Sequence, residues 1–265
     1  MTTHDVTASL TRFEADGFLL CDTPMLPADL IRRASEGMDA LRRGEYETGT
    51  PPQPSPWKPG DPEDRLCKIE QPQFANLAIR ELIGHPVIGE VVAAVTGAEW
   101  VQTWWVQLLF KPSLPPGTPA KTRVGWHQDR TYWGCWEPGS ELLTAWVALS
   151  EAGPDSGPMK FVVGSHHWGL FPEADFFSQE DDHARIAVPT GQSWQEVAAI
   201  LPPGGFSLHD DQTLHGSGPN TSGISRRSFA IHMRTNRSRP VDDKRQGLTA
   251  FIDDPAICPI LYKRH

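Results

Sequence analysis

In the first hundred residues apolar positions recur three and four apart, the interval that lines up one stripe of an α-helix. Residues 3–15 and 27–43 carry the pattern, with Asp22, Thr23 and Pro27 as start signals ahead of the second. Residues 74–83 and 87–95 carry it again, separated by Gly84-His85-Pro86. Between these pairs, residues 48–62 are rich in proline and glycine and read as a loop. Beyond Gly97 the apolar runs shorten and fill with aromatic and β-branched residues, at 100–110, 142–149, 159–163, 205–208 and 228–234. Short strands with no helices between them predict an antiparallel sandwich or jelly roll. Residues 164–203 break that rhythm and are expected to lie over one mouth of the barrel. The reading is one mainly β domain: a helical brace over 1–98, a jelly-roll core over 99–236 and a C-terminal extension over 237–265.

Composition narrows the class. A chain of 265 residues with 38% hydrophobic and 22% charged residues can bury one large core. No stretch approaches the roughly 18 apolar residues of a membrane span. Residues 1–20 carry acids where a secretory leader needs a basic start, so a cytoplasmic location is expected. The scattered Cys21, Cys67, Cys135 and Cys258 read as free thiols. A net charge of −9, with basic residues clustered only at 226–227 and 234–245, argues against nucleic acid as a partner. The ten tryptophans suit either an aromatic-walled pocket or a bulky core.

Three features carry candidate chemistry. In Gly125-Trp126-His127-Gln128-Asp129 a histidine and an aspartate two apart on an extended segment project the same way, and so can grip one metal from one side. Taken alone, the pattern more often marks a surface or hydrogen-bonded histidine than a ligand pair. His215, heading Gly216-Ser217-Gly218-Pro219-Asn220, offers the further imidazole that a two-histidine, one-carboxylate facial triad requires, although that stretch is also a turn sequence. Arg226-Arg227 opens the next strand, where one of the two, not both, can face the same cleft and clamp a carboxylate. A competing His209-x-Asp211 lies only six residues before His215, too close for three ligands to surround an ion easily.

Together these blocks resemble the phytanoyl-CoA dioxygenase family, which includes the ectoine hydroxylases. WHQDRTYW (126–133), LLTAWVALSEAGPDSGPMKFVVGSHHWG (142–169) and LHGSGPNTSGISRR (214–227) carry the likeness, in the family's order. It covers residues 100–234, and the N-terminal helices fit more loosely. The resemblance implies a double-stranded β-helix and an Fe(II)- and 2-oxoglutarate-dependent dioxygenase that uses O2 and releases succinate and CO2. It matches His127, Asp129 and His215 to the metal ligands. Arg226, eleven positions after His215, matches the arginine on the distal carboxylate of 2-oxoglutarate, and Ser217 a serine on the same group. Gln107 and Lys111 look like the pair lining the co-substrate's other end. Trp146 is expected near the site in a packing role, while His166 and His167 belong to a structural strand-end motif.

Two other classes fit the sequence less well. A cupin-like isomerase or binding protein has no need of a dicarboxylate clamp such as Arg226 and Ser217. A halogenase of this scaffold lacks the carboxylate ligand, which Asp129 supplies. The expected substrate is a free small polar molecule, amine- or amino-acid-like. The overall charge and the acids Glu173, Glu180, Asp181 and Asp182 disfavour a CoA ester, although a solvated loop explains those acids equally well. Tyr132, Trp133 and Trp136 are expected to form an apolar wall able to hold a cation.

Overall fold

The structure, a computed structural model, describes residues 3–113, 115, 121–181 and 183–264. The elements in chain order are α1 (Thr3–Asp16), β1 (Phe18–Cys21), α2 (Ala28–Arg42), β2 (Cys67–Glu70), α3 (Leu77–Ile83), α4 (Pro86–Thr96), β3 (Trp100–Lys111), β4 (Val124–His127), β5 (Leu142–Ala148), β6 (Met159–Val162), β7 (Glu196–Ala198), β8 (Phe206–Asp210), β9 (His215–Ser217), β10 (Arg226–Thr235) and β11 (Ile260–Lys263). All strand pairings are antiparallel. The larger sheet runs β1-β8-β5-β10-β3-β11, with β2 also on β3; the smaller runs β4-β9-β6-β7.

Period-two alternation along the larger sheet decides what each face does. Val106, Leu108 and Phe110 of β3, Leu143, Ala145 and Val147 of β5, Phe206 and Leu208 of β8, and Phe229, Ile231 and Met233 of β10 share one core cluster with α2, α3 and α4. From α2 the stripe Leu30, Ile31, Ala34, Met38 and Leu41 is buried against them, which explains the three-and-four spacing. Asn76 caps α3 by accepting from the Ile79 amide at 3.0 Å, and Gly97, at φ 67, ends α4 in a left-handed turn. The opposite face packs on the smaller sheet, where Leu109, Trp146, Ala148 and Ala230 meet Met159 and Phe161.

The helical half, the loop over 48–62 and the five expected strands stand where the pattern put them, with shifted ends. α3 begins later than residue 74 because a 3-10 turn at Pro72–Phe74 precedes it. β10 begins at Arg226, which puts that residue in the sheet. The C-terminal stretch adds β11 to β3. The four cysteines are free, and no helix among the described residues is long and apolar enough to cross a membrane.

Candidate metal centre

β4 and β9 are neighbours, and their register sets His127 directly opposite His215, with ring centroids 4.1 Å apart. Each imidazole Nδ1 meets a carbonyl two residues earlier, Gly125 O at 2.9 Å and Thr213 O at 2.8 Å. The proton therefore sits on Nδ1, leaving the Nε2 lone pair free for a metal. Both Nε2 atoms lie 3.8 Å from Asp129 Oδ1, which follows in a 3-10 turn after β4. The three ligand atoms all lie within 4.8 Å of one another, and all three residues are buried. Gln128, between the two proximal ligands, points away and is tied to the insert: Nε2 donates to Gly169 O and Gln212 O, and Oε1 accepts from the Phe171 amide.

Burial pushes both imidazoles below their ordinary range, outweighing Asp129, so they are neutral. Burial alone would raise the Asp129 carboxyl, but His215, His209 and His232 around it hold it well below the usual carboxylate range. Two neutral nitrogen donors and one carboxylate oxygen on one face make a set that fits a divalent transition metal with open positions opposite.

The second oxygen of Asp129 is fixed separately, by Thr144 and His232, which the sequence pattern did not single out, and by His209. Thr144 Oγ1 donates to Oδ2 at 2.7 Å and accepts from His232 Nδ1 at 2.8 Å, while His209 Nε2 lies 3.4 Å from Oδ2. Thr144, His209 and His232 all belong to inward-facing positions of β5, β8 and β10. His209 thus lies behind the carboxylate. Asp211 faces Arg130 at 3.8 Å, so the competing His-x-Asp pair does not form a site. His166 and His167 stack on each other and hydrogen-bond through Nε2 to the Glu14 carbonyl, at 3.1 and 3.2 Å, away from the triad.

From the triad a narrow cleft runs between the sheets past Gln107, Leu109, Trp146 and Met159 to Arg226 and Ser217. Arg226 and Lys111 are Cα partners across β10 and β3, and both are buried. Lys111 Nζ donates to Ser217 Oγ and Gly218 O, each at 2.7 Å, which corrects its expected place: it sits beside Arg226 and Ser217 and not with Gln107 at the other end of the co-substrate. Arg226 donates to Gly157 O, lies 4.9 Å over the Trp146 ring and keeps an unpartnered, buried Nε. Neither cation meets a carboxylate among the described residues. Burial pulls Lys111 well below the lysine range, with Arg226 and Arg123 adding to the effect, and pulls Arg226 down to about 9. Arg227, on the other face, pairs with Asp39 of α2 at 3.0 Å.

On the other side of the triad a cavity of ≈ 440 Å³ opens, with Tyr132, Trp133, Phe176, Phe177 and Trp105 in its walls and Gln107 at the boundary with the cleft. The insert does cover this mouth: Phe176 and Phe177 come from it, and it passes so close that a Cβ on Gly125 would lie 2.1 Å from Asp175 O. Two expectations are corrected here. Trp136 is not in the wall but packs edge-on against Trp104 in a separate core. Glu173, Glu180 and Asp181 do not line the cavity; Glu180 pairs with Arg185, and Asp181 with His183 and Arg123. Asp182 lies outside the described residues. The charges that do line the cavity, Lys68 and Glu70, come from β2, a strand the hydrophobic pattern did not show.

Comparison with known proteins agrees with this geometry. A probable alpha-ketoglutarate-dependent hypophosphite dioxygenase of Stutzerimonas stutzeri is 30% identical over 181 residues, 66% of this chain and 59% of that protein. The ectoine dioxygenase of Halomonas elongata is 30% identical over 138 residues, 46% of this chain and 41% of its own. The chain thus matches less than two thirds of either relative's length. Among solved structures, the non-heme alpha ketoglutarate dependent carbocyclase SnoK from nogalamycin biosynthesis superimposes with a TM-score of 0.70 at 18% identity, covering 99% of this chain and 97% of that one. The epimerase SnoN, in complex with Fe3+, alpha ketoglutarate and nogalamycin RO, gives 0.69 at 20% identity over 96% and 91%. These two establish the fold as a jelly roll. The family model for phytanoyl-CoA dioxygenase matches residues 13–228, most of the helical brace and nearly all of the barrel, and the chain belongs to that family.

Proposed function

We propose that this chain is an Fe(II)- and 2-oxoglutarate-dependent dioxygenase that hydroxylates a small molecule and releases succinate and CO2. The observation that carries the reading is Arg226, buried with no carboxylate beside it among the described residues and lining the same cleft as a two-histidine, one-carboxylate triad, with the buried Lys111 hydrogen-bonded to Ser217 alongside it. An unpaired buried charge costs several kcal/mol, so two side by side mark a place built to receive an anion. A dicarboxylate reaching from the metal to that pair satisfies both ends at once. When bound, iron(II) and 2-oxoglutarate supply the O2 activation that oxidises a substrate C–H bond.

The chain's own residues do the rest. His127, Asp129 and His215 hold the metal, and Thr144 with His232 keeps Asp129 turned so that Oδ1 faces it. Arg226, Ser217 and Lys111 hold the distal carboxylate, and Gln107 lines the passage between cleft and cavity. Leu109, Trp146 and Met159 keep water out of the cleft. The aromatic cavity presents the substrate to the open side of the triad. The pairing of β11 with β3 supports reading residues 1–265 as one oxygenase domain, and four free thiols support a cytoplasmic location. The activities named for the two curated relatives, on hypophosphite and ectoine, support a small-molecule substrate.

The test is calorimetric titration of 2-oxoglutarate into the iron(II)-loaded protein without oxygen. One equivalent should bind to the parent chain and to Arg227→Met, and binding should be lost in Arg226→Met. Equal binding by the two variants would overturn the assignment.

A further inference from the structure

β2 alternates as it runs along β3: Cys67 and Ile69 are buried in the core beneath the helices, while Lys68 and Glu70 face the substrate cavity. The Glu70 carboxylate is already occupied. Trp105 Nε1 donates to Oε2 at 2.6 Å, and Lys68 Nζ lies 3.2 Å from Oε1. Lys68 also sits 4.3 Å over the face of Phe176. An ammonium has three donors, and the one directed at Glu70 leaves others for a ligand in the cavity.

At Lys68 this cavity joins a second one of ≈ 280 Å³, which shares Pro56, Lys68, Phe176 and Phe177 with it. Among the described residues the second cavity is lined by Arg65, Lys68, Lys121 and Arg123 and by no acid. Asp61 and Asp181, the acids paired with Arg65 and Arg123, lie outside the lining. These four cations are scattered in the sequence and converge only in the fold, on a chain whose net charge is −9. A cleft lined by one sign of charge focuses the field and draws the opposite charge in.

We propose that the primary substrate is an organic anion. Its apolar or aromatic body lies among Tyr132, Trp133, Phe176 and Phe177 beside the triad, and its carboxylate or phosphate is held by Lys68 at the junction, with Arg65, Lys121 and Arg123 beyond. The inference rests on the oxygenase reading and replaces the cationic substrate expected from the sequence. A substrate ammonium would find the Phe176 face already covered by Lys68 and would be repelled by it. The cavity volume also favours a body of many heavy atoms over a two- or three-atom anion.

The test uses protein loaded with iron(II) and saturating 2-oxoglutarate, kept without oxygen. Three probes with one body are titrated in: 4-phenylbutyrate, 4-phenylbutyl phosphate and 4-phenylbutylamine. Tryptophan fluorescence reports binding through Trp105 and Trp133 in the wall. Both acids should bind about tenfold or more tightly than the amine, the scale of one charge-assisted hydrogen bond, and added salt should shrink the advantage. The order of the two acids tells whether the site is built for a carboxylate or a phosphate. Lys68→Met and, separately, Arg123→Met should erase the preference while leaving 2-oxoglutarate affinity as it was. An amine that binds as tightly as the acids, or no binding of any probe to protein that still binds 2-oxoglutarate, would overturn the proposal. Failure of 2-oxoglutarate itself to bind would overturn the oxygenase reading and this inference with it.

Discussion

Replacing Arg226 with methionine should raise stability without co-substrate and forfeit most of the stabilisation that co-substrate brings. In the ligand-free protein Arg226 is a buried cation with no acid beside it, drawn from an ordinary value near 12.5 to about 9. At neutral pH, below both values, the folded state carries that whole penalty, about 5 kcal/mol by linkage. Methionine removes the charge and keeps most of the volume. Against this, Gly157 O loses its donor, which costs about 1–3 kcal/mol. The balance, about 2–4 kcal/mol, leaves the ligand-free variant more stable than the parent, by roughly 4–16 °C in Tm at about 2–4 °C per kcal/mol for a domain of this size. With 2-oxoglutarate that advantage shrinks or disappears. The parent gains about 4 kcal/mol at a thousand times its Kd. The variant loses a charged hydrogen-bond pair worth on the order of 2–4 kcal/mol, so its Kd rises roughly 30- to 1,000-fold. Thermal unfolding of both proteins, iron-loaded under argon with and without 2-oxoglutarate, gives all four numbers. A variant less stable than the parent without ligand, yet equally stabilised by 2-oxoglutarate, would show Arg226 to be a structural residue and refute the reasoning.

Further outcomes follow from the same geometry. His127→Ala or His215→Ala should lose bound iron(II) altogether, measured as metal content after desalting, because two ligands do not hold a labile ferrous ion. Thr144→Val should release Asp129 Oδ2 and weaken iron(II) binding about 10- to 100-fold in competition with a chelator; unchanged affinity would mean the Thr144–His232 pair does not position Asp129. Lys111 titrates below the lysine range because it is buried, and the dicarboxylate binds its charged form. 2-Oxoglutarate affinity should therefore fall as pH rises through that lowered value, with proton uptake on binding, and Lys111→Met should lose this alkaline limb. A limb unaltered in Lys111→Met would assign it to another group.

Much of the site could be read from parity. His127 and Asp129 lie two apart on an extended segment, and Gln107 and Lys111 share a face of a strand whose pattern is strong. Parity left Arg226 and Arg227 open; the family resemblance, through the eleven-residue step from His215, picks Arg226, and the register of β10 with β3 places it opposite Lys111. What was missed depends on contacts between distant segments or on strands too short to leave a pattern. Thr144 and His232 are separated by 88 residues, and only the pairing of β5 with β10 brings them to Asp129. β2 is four residues long, follows a proline-rich loop and alternates charge with apolar residues, so β-propensity gives it little weight. β4, β7 and β9 are as short. Trp136 follows the metal motif in a turn, where no periodicity tells wall from core. The acids of the insert were visible as charge, but their orientation depends on Arg123, Arg185 and His183, and the cations that matter for the cavity come from two separate stretches of chain, 65–68 and 121–123.

The account's central claim is that this cleft turns over 2-oxoglutarate on iron. The most direct measurement is succinate formed per O2 consumed when the purified protein is given iron(II), 2-oxoglutarate and air. Even without the primary substrate, slow succinate release should appear with iron(II), disappear with a chelator or in His215→Ala, and not return with zinc. Protein that binds one iron(II) and one 2-oxoglutarate yet forms no succinate, alone or with a library of small organic acids, would contradict the claim.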